Sequence, residues 1–350
     1  MDTMEKEFQK MLAAEGEDVS DVRYREIHDA FLAEVLPQMA KLLRRAATAQ
    51  LRKERKDVLG FQKRNFHRWK PAFDLIEIIW EISQDLGGTF NNKFRPEAAK
   101  AKDCTFEALT NLHARALLVA KESICLMKNG FADGALARWR TLHELNVIAV
   151  FLANRSQKTA FLYLASFDFQ ALKAARQLQV FSARAKIAPF STTELDAMEA
   201  RCASLRASLG TDLSKDYSWA SSDLSGRVTF GRIEEAVGMD HWRPRFRWSS
   251  QHTHGGHRPA LGSLGTAEAK IPVLLVGESN SGMVDPLQMV AISLVHVTAT
   301  LLLSKPNLDR IVFAKVLSGL SDELGPLALR LEAVTAATAA GTPRPAPAAG

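Results

Sequence analysis

Gly130-Phe131-Ala132-Asp133-Gly134-Ala135-Leu136-Ala137-Arg138-Trp139-Arg140-Thr141-Leu142-His143-Glu144-Leu145-Asn146-Val147-Ile148-Ala149-Val150-Phe151-Leu152 reads as one long helix whose second half is apolar almost all round. A helix of that kind is buried on every side. Four groups that carry charge or protons, Arg138, Arg140, His143 and Glu144, interrupt its middle. Burying such groups is unfavourable unless each finds a partner. The chain is therefore expected to be built around this element, with a site near its midpoint.

The residues just before it contain a strong stop, Asn129-Gly130, which closes an apolar helix through Ala114, Leu117, Leu118, Ile124 and Met127 that Asp103 or Thr105 can cap. So short a connection predicts an antiparallel hairpin of residues 105–129 and 131–154. Small residues at Ala132, Gly134, Ala135 and Ala137 permit close approach near the turn.

At about 100° per residue, Arg140, His143 and Glu144 share one face, and Arg138 points nearly the other way. Arg140 and Glu144 are four apart, the spacing of a helical ion pair. On the preceding helix Arg115 and Glu122 share a face and are placed to meet them as a buried four-charge network. Such a network can be purely architectural. Alternatively, the guanidinium binds an anionic group while His143 or Glu144 carries a proton. Arg138-x4-His143 also resembles the Arg-x4–6-His pattern of the HEPN ribonucleases, helical bundles that cleave RNA and act as toxins or in phage defence. A straight helix would hold those two residues about 140° apart.

The rest of the chain supports an all-α class. It has 350 residues, 47% of them hydrophobic, with 20 glycines and 13 prolines, most of the prolines from Pro244 onward. That is ample for a sizeable core and favours helix over sheet. Two helices, 3–14 and 19–36, are expected to break at Gly16, with Asp18 or Ser20 capping the second. Pro71 is expected to open a helix through Leu86 that Gly87-Gly88 ends, and 91–102 to be a polar connection containing Pro96. Further helices are expected over 157–187 and from the capping box Ser191-x-x-Glu194 through Leu209, closed by Gly210. Residues 211–284 read as loop-rich, with a short helix over 232–237 and an extended segment or short hairpin over 271–276. Asp285-Pro286 starts another helix, the last begins near Leu308, and a disordered tail follows from Ala337. The expected organisation is an acidic then basic helical arm (1–70), a helical-bundle body (71–336) and the tail (337–350).

Residues 1–40 carry a net charge of −6, whereas 41–70 carry 11 basic and 2 acidic residues, a net +9. Arg52, Lys53, Arg55, Lys56, Lys63 and Arg64 lie in this block with Phe61, Phe66, His67 and Trp69 interleaved. It is suited to nucleic acid, to an acidic partner or to the chain's own acidic arm; the plainer reading is a solvated helix face. Cys104, Cys125 and Cys202 are widely spaced, which argues against a disulfide framework or a cysteine zinc site. The N-terminus lacks the apolar core of a secretory signal, and the longest apolar run, 289–303, is shorter than a bilayer span. The expectation is a soluble cytoplasmic chain, with no membrane partner and no cofactor, and with homo-oligomerisation open.

A second cluster, Gln251-His252-Thr253-His254-Gly255-Gly256-His257, offers three imidazoles in six residues. Its H-x-H-x-x-H spacing resembles the first metal motif of metallo-β-lactamase-like hydrolases, with Gly256 where those have aspartate. The competing expectation is that one of these histidines is buried against the central helix while the others are exposed.

Several pieces together resemble the bacterial family called domain of unknown function 5677. These are Arg115, Gly130 and Trp139-Arg140-Thr141-Leu142-His143-Glu144-Leu145; Asp216-Tyr217-Ser218-Trp219-Ala220; the run from Arg243-Pro244-Arg245-Phe246-Arg247-Trp248 to His254; Val276-Gly277-Glu278-Ser279-Asn280; and Asp285-Pro286. Thr253 stands where the family has valine, and His254 matches its histidine. The resemblance spans about residues 100–305 and implies no activity. It does imply that Arg140, Glu144 and His254 meet in one pocket. Arg140, His143, Glu144 and His254 are thus the candidate catalytic set, with Arg115, Glu122, Arg138 and Trp248 as ligand contacts. The favoured function is binding or regulation; the alternatives are a HEPN-like ribonuclease or phage-defence effector and a metal-dependent hydrolase using His252, His254 and His257.

Overall fold

The structure, a computed structural model, describes residues 3–16, 19–256 and 262–341. Every regular element among the described residues is helical and none is a strand, so the class is all-α. The α-helices are α1 (Thr3–Glu15), α2 (Asp21–Ala101), α3 (Cys104–Lys128), α4 (Ala132–Ala153), α5 (Gln157–Ala185), α6 (Thr192–Leu209), α7 (Phe230–Ala236), α8 (Arg243–Ser250), α9 (Val284–Leu303) and α10 (Leu308–Gly341). The chain divides into two compact units, Met1–Arg64 and Asn65–Gly350.

In the first unit α1 folds back on the start of α2. Phe8 is the anchor, with ring centroids 5.7, 5.8 and 5.3 Å from Tyr24, His28 and Phe31. Gly16 takes the turn at φ 105°, and Ser20 Oγ accepts from the Arg23 amide, which makes Ser20 the cap. Asp18 lies outside the described residues.

One set of expected breaks is overturned. α2 is a single helix of 81 residues, and Pro37, Pro71, Gly87-Gly88 and Pro96 all lie within it. In its later part the buried residues Trp69, Phe73, Ile76, Ser83, Phe90 and Ala98 recur at helical spacing on one face. Packing of that face prevails over the local signals, because a breaker costs roughly 1–3 kcal/mol while each buried aromatic or aliphatic side chain returns a similar amount.

Gly87 is there for space. A Cβ at this position would fall 2.1 Å from Cε1 of His113 on α3. His113 is itself buried, 3.1 Å from the Thr298 hydroxyl on α9, and burial pushes its pKa down to about 4. Gly88 is exposed, with nothing within 4 Å of its Cβ direction. Gly87→Ala is therefore expected to destabilise the chain by about 1–3 kcal/mol through overpacking, while Gly88→Ala stabilises it by up to about 1 kcal/mol. Urea-unfolding midpoints of the two variants, moving in opposite directions, are the check.

The second unit is organised on α3 and α4, which pack along each other, with α9 lying against both. Asp103 caps α3, its carboxylate accepting from the Phe106 amide at 2.9 Å. The chain reverses through Gly130 at φ 88°, and Asn65 donates to the Met127 and Lys128 carbonyls at the end of α3. Trp139 Nε1 donates to the Ser293 hydroxyl at 2.9 Å, pinning α4 to α9 in the dry interior. α10 covers α9, and α5 lies on α3 with α6 outside it. The expected caps at Ser191 and Gly210 are in place around α6.

Three smaller differences follow. α9 extends the apolar run 289–303 to a helix of 20 residues, long and apolar enough to cross a membrane by length and composition; 67% of its apolar window is buried within the protein. Residues 271–276 pair with no strand. The α10 backbone remains helical to Gly341, past the expected start of the tail, and residues 342–350 lie outside the described residues.

Candidate functional site

α7 and α8 both pack on α4 and bring their side chains to its middle turn. His143 is 1% exposed, enclosed by the rings of Trp139, Phe230 and Phe246 at 5.3, 6.0 and 5.7 Å. Its Nε2 lies 2.9 Å from Oε1 of Glu234, which is fully buried. The other Glu234 oxygen makes an ion-pair contact with Arg243, whose side chain is 30% exposed. A Cβ at Gly231 would collide with that guanidinium at 2.2 Å, so the glycine leaves the space Arg243 occupies. Histidine, glutamate and arginine thus form a chain from the core to the surface, in which each buried charge has a partner.

One helical turn away the environment is wetter. Arg140 lies over the face of Phe246, 4.6 Å from the ring centroid. It is 3.8 Å from Glu144, and the two side chains are 29% and 30% exposed. Arg140 Nε is buried and has no hydrogen-bond partner among the described residues. Burial pushes the Glu144 carboxyl up, against the pull of Arg140, His143 and Arg115, with Glu234 adding to the rise. Tyr217 stands beside this pair in the left-handed region at φ 59°, a strained setting for a tyrosine. Its hydroxyl is pushed up to about 12 by burial and by the charges of Glu144 and Asp216, with Arg140 opposing. Tyr217 and Phe230 also form part of the wall of an open cleft of about 670 Å³, which Lys173, Lys215 and Arg227 line with positive charge.

Arg140, His143 and Glu144 are therefore together on one face of α4, as their spacing implies. The other sites fall elsewhere. Glu122 pairs with Arg138 across α3 and α4, so the expected network of Arg115, Glu122, Arg140 and Glu144 is divided. Arg115 is exposed and reaches Glu144 through its charge. Trp248 is 41% exposed, and it is Phe246, two residues earlier, that meets Arg140.

His254 is exposed as well, which corrects its placement in the pocket. The loop histidine that meets α4 is His252, whose side chain is 2% exposed with Nδ1 2.9 Å from Asp133. Asp133 lies in the first turn of α4, roughly 10–16 Å along the helix axis from Arg140 and Glu144. It also accepts from the Leu264 and Gly265 amides at 2.9 and 3.1 Å. Among the described residues no three metal-type ligands gather, and His257 lies outside them. Arg52, Lys53, Arg55, Lys56, Lys63 and Arg64 are all exposed along α2.

Glu234, Arg243, Tyr217 and Phe246 escape a reading based on spacing, because each reaches the site from a short or irregular element with no period. Arg243, Tyr217 and Phe246 do fall inside the motifs that carry the family resemblance.

Fold and site together define an all-α protein whose central hairpin helix holds a sealed His–Glu–Arg chain beside a half-open Arg–Glu pair. The model of a family of unknown function, DUF5677, matches residues 106–271, and over that stretch the chain is similar to this family. No curated protein and no solved structure matches it.

Proposed function

We propose that this chain is a binding protein of regulatory type, which receives a small anionic group against Arg140 beside Tyr217. The observation that carries the reading is the buried Arg140 Nε without a hydrogen-bond partner, in a guanidinium whose nearest carboxylate is 3.8 Å away. A buried donor left unmatched is unfavourable by about 1–3 kcal/mol, and an anion would supply the missing acceptor with bidentate geometry. The lysines and arginine of the adjoining cleft would raise the local concentration of such a ligand.

Sulfate, which keeps its charge across the useful pH range, is the probe. Calorimetric titration is expected to give saturable binding that disappears in Arg140→Ala. Glu144 competes for the guanidinium while ionised. Affinity should therefore rise as pH falls through the elevated Glu144 pKa, and Glu144→Gln should bind about three- to tenfold more tightly with the pH dependence gone. Saturable binding unchanged in Arg140→Ala, or none in the parent protein, overturns the reading.

Ribonuclease chemistry of HEPN type is less well supported. The His143 ring is enclosed on all sides, and Arg138 is engaged by Glu122 rather than by substrate-facing groups. RNA cleavage by the purified protein that is lost in a folded His143→Ala variant would reverse that preference.

A further inference from the structure

The first unit carries a feature that anion binding does not use. Leu36, Leu42 and Leu43 on α2 are 59%, 59% and 61% exposed. With Met39 and Ala46 they recur every three or four residues, so they fall in one stripe about 120° wide. α1 packs on the start of α2, at Tyr24, His28 and Phe31, and leaves the three leucines further along exposed. Every residue from 40 to 57 is exposed. A helix exposed over that length, with leucines at heptad spacing, is the pattern of one strand of a coiled coil.

We propose that two copies of this chain associate through α2, antiparallel, crossing at Leu42–Leu43. Charge selects both the occupant and the direction. Residues 21–34 carry four acidic and two basic side chains, and 51–64 carry six basic and two acidic. The two blocks are equidistant from the crossing point. Antiparallel pairing sets each acidic block opposite a basic block of the partner subunit, twice by symmetry. Parallel pairing would stack like on like, which is unfavourable. The basic block has charges to offer: among the described residues none of Arg52, Lys53, Arg55, Lys56, Lys63 and Arg64 has an ion-pair partner. The same cations that resemble a nucleic-acid patch are in this view the complement of the chain's own acidic segment, supplied by a second copy.

Sedimentation equilibrium on the full chain tests the association. A dimer is expected, with Leu42→Glu/Leu43→Glu at least about tenfold weaker in self-association and unchanged in helical circular dichroism, since both leucines face solvent in the monomer. Direction is tested by disulfide trapping in a Cys104→Ser/Cys125→Ser background. Leu43→Cys should cross-link to itself. Lys56→Cys should not, because antiparallel pairing separates the two copies of that residue by roughly 40 Å. A chain that stays monomeric, a dimer indifferent to the glutamates, or efficient trapping through Lys56→Cys overturns the proposal. So does a monomer that binds duplex RNA with steep salt dependence through Arg52, Lys53, Arg55 and Lys56, which would assign the basic block to nucleic acid instead.

Discussion

Glu234→Ala is expected to lower stability by about 3–5 kcal/mol, on the order of a 10 °C fall in Tm, the largest effect of any single polar substitution in the bundle. Glu234 is fully buried, and its carboxylate links the His143 imidazole, 1% exposed, to the Arg243 guanidinium at the surface. Truncation leaves the imidazole facing an aromatic box of Trp139, Phe230 and Phe246 with its hydrogen bond lost. Arg243 would be left against the Phe230 face without its counter-charge. Removing one member of a buried set is far more damaging than replacing the whole set by well-packed apolar groups, because an unmatched polar group remains in the interior. The double variant His143→Phe/Glu234→Leu should accordingly recover part of the loss. Thermal unfolding of the three proteins is the measurement, and a Glu234→Ala chain that melts within about 2 °C of the parent would show that the pair carries no structural weight.

Asp133→Ala is expected to loosen the long connection between α8 and α9 while the helices stay intact. Three groups from that connection converge on one carboxylate: His252 Nδ1 at 2.9 Å and the amides of Leu264 and Gly265. Burial alone would push the Asp133 carboxyl up, but the hydrogen bonds from His252, Gly265 and Leu264 prevail and hold it below its ordinary value of 3.8. With the folded pKa depressed, the stabilisation is present above 3.8 and is lost as pH falls through the lower folded value. At neutral pH, removing the carboxylate should cost the local structure about 2–3 kcal/mol. Opening of the connection would then rise roughly 30- to 150-fold, and limited proteolysis between residues 252 and 280 would accelerate in proportion. Equal cleavage rates in Asp133→Ala and the parent would remove Asp133 as the clasp.

Much of the helical framework is legible from local chemistry. The Asn129-Gly130 stop and the Ser191–Glu194 capping box are satisfied by neighbours in sequence, and the structure uses both. The breaks expected in α2 fail for the opposite reason. Gly87 looks like a terminator, yet its lack of a side chain answers to His113, 26 positions away in the chain. The pattern Trp69, Phe73, Ile76, Ser83, Phe90, Ala98 runs through the glycines and past Pro96, and it was the better guide. The site divides in the same way. Arg140, His143 and Glu144 share a face of one helix, so their grouping follows from a helical repeat. Glu234 and Asp133 owe their roles to partners about 91 and 119–132 positions distant, and no repeat encodes those meetings.

Hydrogen bonds that close the second unit join distant parts of the chain. Trp69 donates to the Asn280 carbonyl, His113 meets Thr298, Trp139 meets Ser293, and the Ser279 amide donates to the Gly130 carbonyl. All four tie-points at 279–298 lie beyond residue 271, where the family match ends. The matched segment therefore shares its hydrogen bonds with residues outside it. Its indole and imidazole partners leave the ribosome after it, so the face that the hairpin turns to α9 is covered only once that later helix has emerged.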